Sequence, residues 1–318
     1  MSDPLDFLDP DCKPIVARLA AGRDRRRSGL VSPAEMREKV KEIFRPWNAG
    51  GPSLPRIETF SLPGATGARQ VRRYVPTTAT GPKPSLFYMH GGGWIIGDLD
   101  TEDRYLRELA LSSGVQIFSL DYALAPEHKF PLPLGDCENL IGAALIHASD
   151  LEIDVARIGL GGSSAGANLA VAAGMVLRDR GVTTQALLLN CGAFVTSSTA
   201  SKADAADDAG PSRADMEYFL AQYLSDMALR TDARVDVASA DLRRLPRAKL
   251  IAAGIDSLRD DSVALAQRLC QCGVSSELSL YPGLIHGFMS MVSEVAAARH
   301  AIVEAADFLR RCLVGPPN

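Results

Sequence analysis

The sequence predicts an α/β fold with a mostly parallel sheet, helices on both faces and a helical cap. Short apolar, β-branched or aromatic runs at 71–75, 86–90, 115–120, 157–161, 186–190, 250–253 and 277–281 read as strands. Longer helical patterns follow most of them, at 101–113, 135–148, 164–180, 257–271 and 294–313. Strands that are apolar along their length are buried on both faces, and alternation with helices makes the connections parallel crossovers. Two segments stand outside this rhythm. Residues 1–52 are helical in pattern with Pro and Gly breaks and are expected to form N-terminal cap helices. Residues 196–238 open as a Ser/Thr/Ala/Asp-rich stretch and are expected to be a cap insertion. The core then comprises 53–195 and 239–318. Within the insertion, Ser212 precedes Asp215 by three positions, and Met216, Phe219, Leu220, Tyr223 and Leu224 follow at helical spacing, which predicts a capped helix.

Composition narrows the class. With 318 residues, 23% of them charged and a formal net charge of −4, the chain is long enough for one large α/β domain with an insertion. It has no basic stripe for a nucleic acid, and the short basic run at 23–27 reads as a solvated helix face. The acidic, Pro-containing start lacks the features of a secretory signal, and no apolar run approaches the ~18 residues that span a bilayer. A cytoplasmic location without membrane contact is the expectation, and the six cysteines fit it as free thiols. Cys270 and Cys272, two apart on a helix, point to nearly opposite sides and make no metal clip.

The strand at 157–161 runs into Gly162-Ser163-Ser164-Ala165-Gly166, and a helix follows at once. A turn this sharp strains its central residue and needs glycine two positions to either side, where a side chain would strike backbone. Ser164 has both glycines; Ser163 has Ala165 after it and fits less well. A phosphate cradle at the helix start would want the lysine of a P-loop, which is missing. Upstream, the strand at 86–90 ends in Gly91-Gly92-Gly93-Trp94. Bare backbone there can turn amides toward a substrate, so Gly91, Gly92 and Ala165 are the expected oxyanion donors. The triple glycine does not have the spacing of a dinucleotide-binding turn.

A serine nucleophile needs an imidazole held in one tautomer by a carboxylate. Of five histidines, His147 and His300 fall on helical patterns, His128 lies in a Pro-containing loop, and His90 is suited to bracing the glycine loop. His286, in the loop after the last strand, is the expected base. Asp256, just beyond the strand at 250–253, is the expected orienting acid, whereas Asp260 and Asp261 read as first-turn helix decoration. The chain order Ser164, Asp256, His286 is that of the α/β-hydrolase fold.

With these residues assembled, the chain resembles the hormone-sensitive-lipase-like family of bacterial carboxylesterases. The likeness runs from about residue 40 to the C-terminal helix. It rests on five segments in the family's order: His90–Trp94, Asp121–His128, Gly162–Gly166, Asp256–Asp260 and Tyr281–Phe288. It implies an α/β-hydrolase core under a helical cap, no metal or organic cofactor, hydrolysis of short- to medium-chain acyl esters and, as is common in the family, a homodimer. Three positions depart from the family pattern: Ser163 stands where Asp is usual, Ala167 where Gly is usual and Ser257 where Pro is usual. Two readings share these residues: the same triad on amides, lactones or carbamates, and a non-catalytic small-molecule receptor on the same fold.

Overall fold

The computed structural model describes residues 4–27, 32–204 and 209–315. One eight-stranded sheet organises them: β1 Arg56–Gly64, β2 Gly67–Val75, β3 Lys83–Met89, β4 Gln116–Leu120, β5 Ile153–Ser163, β6 Ala186–Asn190, β7 Arg247–Ile255 and β8 Ser276–Ile285. Their spatial order is β1-β2-β4-β3-β5-β6-β7-β8, with β2 antiparallel to both neighbours and every pair from β4 to β8 parallel. Every residue of β3, β4 and β6 is buried, which is why these strands read as unbroken apolar runs.

Nine helices are described: α1 Lys13–Arg27, α2 Pro33–Asn48, α3 Asp103–Ser113, α4 Leu132–Ile146, α5 Ala165–Asp179, α6 Ala200–Asp204, α7 Arg213–Tyr223, α8 Arg259–Gln271 and α9 Ala296–Leu309. They cover both faces of the sheet. Leu140, Leu169 and Leu265 of α4, α5 and α8 belong to one core cluster, and Leu106 and Ile302 of α3 and α9 to the other. The capped helix expected from Ser212 is present: Ser212 Oγ accepts from the Asp215 amide at 3.1 Å and the Asp215 carboxylate accepts from the Ser212 amide at 2.8 Å. Ser32 and Glu35 repeat the device at the start of α2. The basic run at 23–27 lies on the last turns of α1, and its side chains fall outside the described residues. No helix among the described residues is long and apolar enough to cross a membrane.

Three sequence expectations change. β1 was not foreseen: it is the sheet's edge, most of its side chains are partly or fully exposed, and only Leu62 is buried, so the apolar signal is thin. β8 runs through Pro282 and Gly283 to Ile285, four residues beyond the expected end. The register with β7 shifts between Ala253 and Ile255, and β8 is an edge strand, where a proline without an amide proton is tolerated. Asp261 is no helix decoration. Its side chain is fully buried, pairs with Lys202 Nζ at 2.7 Å and accepts from the amides of Phe194 and Val195, each at 3.0 Å. It therefore staples α6 and the segment after β6 to α8, while its neighbour Asp260 accepts from the Ser201 amide at 2.8 Å.

Removing one partner of a buried pair leaves the other charge uncompensated. Asp261→Ala is expected to lower unfolding free energy by about 3 kcal/mol in urea. Asp260→Ala, at a partly exposed position, is expected to cost about 1 kcal/mol or less.

Candidate active site

Ser164 occupies the turn between β5 and α5 with φ 54° and ψ −118°, a backbone conformation that costs on the order of 1–3 kcal/mol for a non-glycine residue. The flanking glycines are demanded by contact. A Cβ on Gly162 would sit 2.4 Å from the Gly166 carbonyl carbon and oxygen, and one on Gly166 would sit 2.1 Å from Met89 O. Hydrogen bonds hold the strained residue from several sides. Its amide donates to Asn190 O at 2.8 Å, and its carbonyl accepts from the amides of Ala167 at 3.1 Å and Ala193 at 3.3 Å. Asn168 Nδ2 ties the first turn of α5 to Ala193 O and Val235 O at 2.9 and 2.8 Å.

Asp256 follows β7 directly and His286 follows β8 directly, so parallel neighbours deliver both side chains to the sheet end where Ser164 lies. The His286 Nδ1 lies 2.8 Å from Asp256 Oδ2, and its Nε2 lies 3.1 Å from Ser164 Oγ. The other carboxylate oxygen, Oδ1, accepts from the Leu258 amide at 2.9 Å. With an ionised carboxylate as its acceptor, Nδ1 carries the ring proton, leaving Nε2 to accept from the serine hydroxyl. The three residues expected from the sequence are thus brought into one hydrogen-bonded chain.

The glycine loop after β3 lies alongside. Gly92 and Gly93 both have positive φ, 128° and 59°, and Gly92 O accepts from the amides of Ile95 and Ile96 at 3.1 and 3.0 Å. His90 braces it: its Nδ1 donates to Gly91 O at 2.8 Å, its ring stacks on Tyr122 at 4.4 Å, and burial holds its pKa down so that the ring stays neutral. From α2, Arg37 donates to Ile95 O and Ala125 O at 2.8 and 2.9 Å, clamping the loop from outside. Of the expected oxyanion donors, Gly92 and Ala165 line the cavity with amides that have no acceptor among the described residues, and Gly93 joins them. Gly91 also lines the cavity, and its amide lowers the pKa of the Glu102 carboxyl.

Glu102 was not foreseen. It stands at the start of α3, 5% exposed, without a cationic partner among the described residues. Burial pushes its pKa up to about 7, against the opposing pull of Ser163, Tyr88 and the Gly91 amide, and Oε2 keeps no partner. Behind it, Tyr88 Oη and Ser163 Oγ are 2.6 Å apart, and Asn190 Nδ2 donates to Tyr88 and Tyr105 at 3.1 and 2.8 Å. The carboxyl absent at position 163 is therefore supplied beside the elbow by residue 102.

Over the site lies a cavity of about 500 Å³ with a mainly apolar lining. Leu19 of α1, Phe44 and Trp47 of α2 and Met216 and Phe219 of α7 contribute to it. Tyr223 does not line it; it is buried and stacks on Trp94 at 4.7 Å.

A family described as having the α/β-hydrolase fold matches residues 86–290. An esterase of the archaeon Pyrobaculum calidifontis is 30% identical over 96% of this chain and 98% of its own, with a TM-score of 0.88. An ester hydrolase from the metagenome of Lake Arreo, solved with a derivative of bipyridine phosphonate, is 32% identical over 95% of this chain and 98% of its own, also with a TM-score of 0.88. EstE1, a thermostable carboxylesterase from a metagenomic library, is 30% identical over 89% of this chain and 98% of its own, with a TM-score of 0.86.

Glu102 generates a pH prediction. Its native pKa of about 7 lies above the ordinary 4.5, so between those values the folded state holds a proton that the unfolded state has lost. The stability it contributes is fully present below pH 4.5 and is lost as pH rises through 7. Glu102→Gln is expected to remove a slope worth about 3 kcal/mol at most. Urea midpoints at pH 5 and pH 8 on both proteins measure it, and identical pH dependence would remove the unpaired carboxyl from the account.

Proposed function

We propose, from the premise that this chain belongs to the α/β-hydrolase family and within it to the hormone-sensitive-lipase-like carboxylesterases, that it is a carboxylic ester hydrolase working through a serine acyl-enzyme. One observation carries the reading: a single imidazole bridges Asp256 at 2.8 Å and Ser164 at 3.1 Å. His286 takes the Ser164 proton as the oxygen attacks the ester carbonyl, and Asp256 steadies the imidazolium that forms. The amides of Gly92, Gly93 and Ala165 receive the negative charge on the carbonyl oxygen, each donor being worth roughly 3 kcal/mol in the transition state. The alcohol leaves with the proton held on Nε2. Water then repeats the sequence on the acyl-enzyme and releases the acid.

The segments 1–52 and 196–238 act in this reading as the cap, since α1, α2 and α7 supply much of the apolar lining. A mainly apolar chamber of about 500 Å³ suits a short- to medium-chain acyl group. The phosphonate present in the Lake Arreo structure suggests a probe for this chain as well.

Ser164→Ala is expected to abolish hydrolysis of p-nitrophenyl acetate and butyrate. A p-nitrophenyl phosphonate should label the wild-type chain once, on Ser164, by mass spectrometry. Retained turnover in the variant, or labelling elsewhere, contradicts the mechanism. Across acyl lengths, kcat/KM is expected to peak at short to medium chains and to fall for long ones.

A further inference from the structure

Cys191 follows the last residue of β6 and carries φ 44°, a left-handed conformation uncommon for a residue with a side chain. Its amide donates to Ile251 O at 2.7 Å, which anchors it against β7. The side chain is 2% exposed and reaches the floor of the cavity. There its sulfur, a carboxylate oxygen of Asp256 and a ring nitrogen of His286 all lie within 4.8 Å of one another. No other group of three or more such side chains gathers this closely among the described residues. Burial and the Asp256 charge push the thiol's pKa up, so without a metal it is a neutral S–H and no rival to Ser164 as nucleophile.

We propose that Cys191, Asp256 and His286 form a binding site for one soft divalent cation of the zinc class, and that filling it switches the enzyme off. The donor set is one sulfur, one nitrogen and one oxygen. That mixture suits zinc and disfavours magnesium and calcium, which take oxygen. By the usual bond lengths, ligand atoms around a tetrahedral zinc stand roughly 3.3–3.8 Å apart, so the sulfur must draw in and the 2.8 Å separation of Nδ1 and the Asp256 oxygen must open by about half an ångström to form three bonds. Water from the cavity fills the fourth position. The thiol proton passes to solvent as sulfur donates its pair to the metal. The Nδ1 proton is displaced as that nitrogen coordinates, and it reappears on Nε2. No oxidation or reduction is involved. An imidazole protonated on Nε2 and metallated on Nδ1 cannot accept the Ser164 proton, and Asp256 no longer orients it. The inhibitory half of the proposal rests on the triad reading above; the binding half does not.

Two measurements separate them. Chelator-treated Ser164→Ala protein, with and without Cys191→Ala or Cys191→Ser, is titrated with Co²⁺, whose thiolate complexes absorb in the near ultraviolet. A charge-transfer band of one equivalent that both Cys191 replacements remove supports the site. No band, or a band unchanged by either replacement, overturns it, since the thiolate binding would then come from another of the free cysteines. Separately, Zn²⁺ is added to active protein in thiol-free buffer. Half-inhibition is expected to need at least ten-fold more Zn²⁺ in the Cys191 variants, each compared with its own metal-free rate. Equal sensitivity overturns the switch. If the metal-free wild type hydrolyses no ester, the functional reading fails while the cobalt titration still decides the site.

Discussion

Backbone crowds backbone at the start of α5. The helix enters so close to the end of β3 that Gly166 has room for a hydrogen and no carbon, and Gly162 is pressed against the same helix turn. That contact holds Ser164 in a conformation it would leave if free, with its hydroxyl toward the cavity and the Ala165 amide beside it. The parallel order of β5 to β8 then does the rest. Loops from adjacent strand ends open on one side of the sheet, so His286 arrives within hydrogen-bond reach of a serine 122 positions away in sequence, with Asp256 bonded to its far ring nitrogen.

Around this point several polar groups brace the turn and the glycine loop. His90 and Tyr122 stack under the glycine loop, Arg37 grips it from α2, and Asn168 fixes the first turn of α5. Glu102 is a buried carboxyl without a cationic partner among the described residues. Its elevated pKa leaves it only partly charged near neutrality. Cys191 places a sulfur close to the Asp256–His286 pair.

Much of this was legible in the sequence, and for local reasons. Glycines at 162 and 166 mark a sharp turn because sterics leave no other choice, and a reactive residue at a strand's carboxyl end follows from topology. Strands β3, β4 and β6 were legible because burial on both faces makes them continuously apolar. β1 was not, because an exposed edge needs few apolar residues. The end of β8 was obscured by Pro282, which the edge tolerates. Glu102 and Asp261 look in sequence like ordinary acids at a helix start; nothing local says that their side chains turn inward toward Ser163 and Lys202.

The central claim is that Ser164 and His286 act as one unit rather than as two independent contributors. A double-mutant cycle on kcat/KM, with Ser164→Ala, His286→Ala and the pair together, tests it most directly. Members of one proton-transfer chain are grossly non-additive, so the double replacement is expected to lose no more than about ten-fold beyond either single one. Losses that multiply would show that the two side chains contribute separately and would contradict the account.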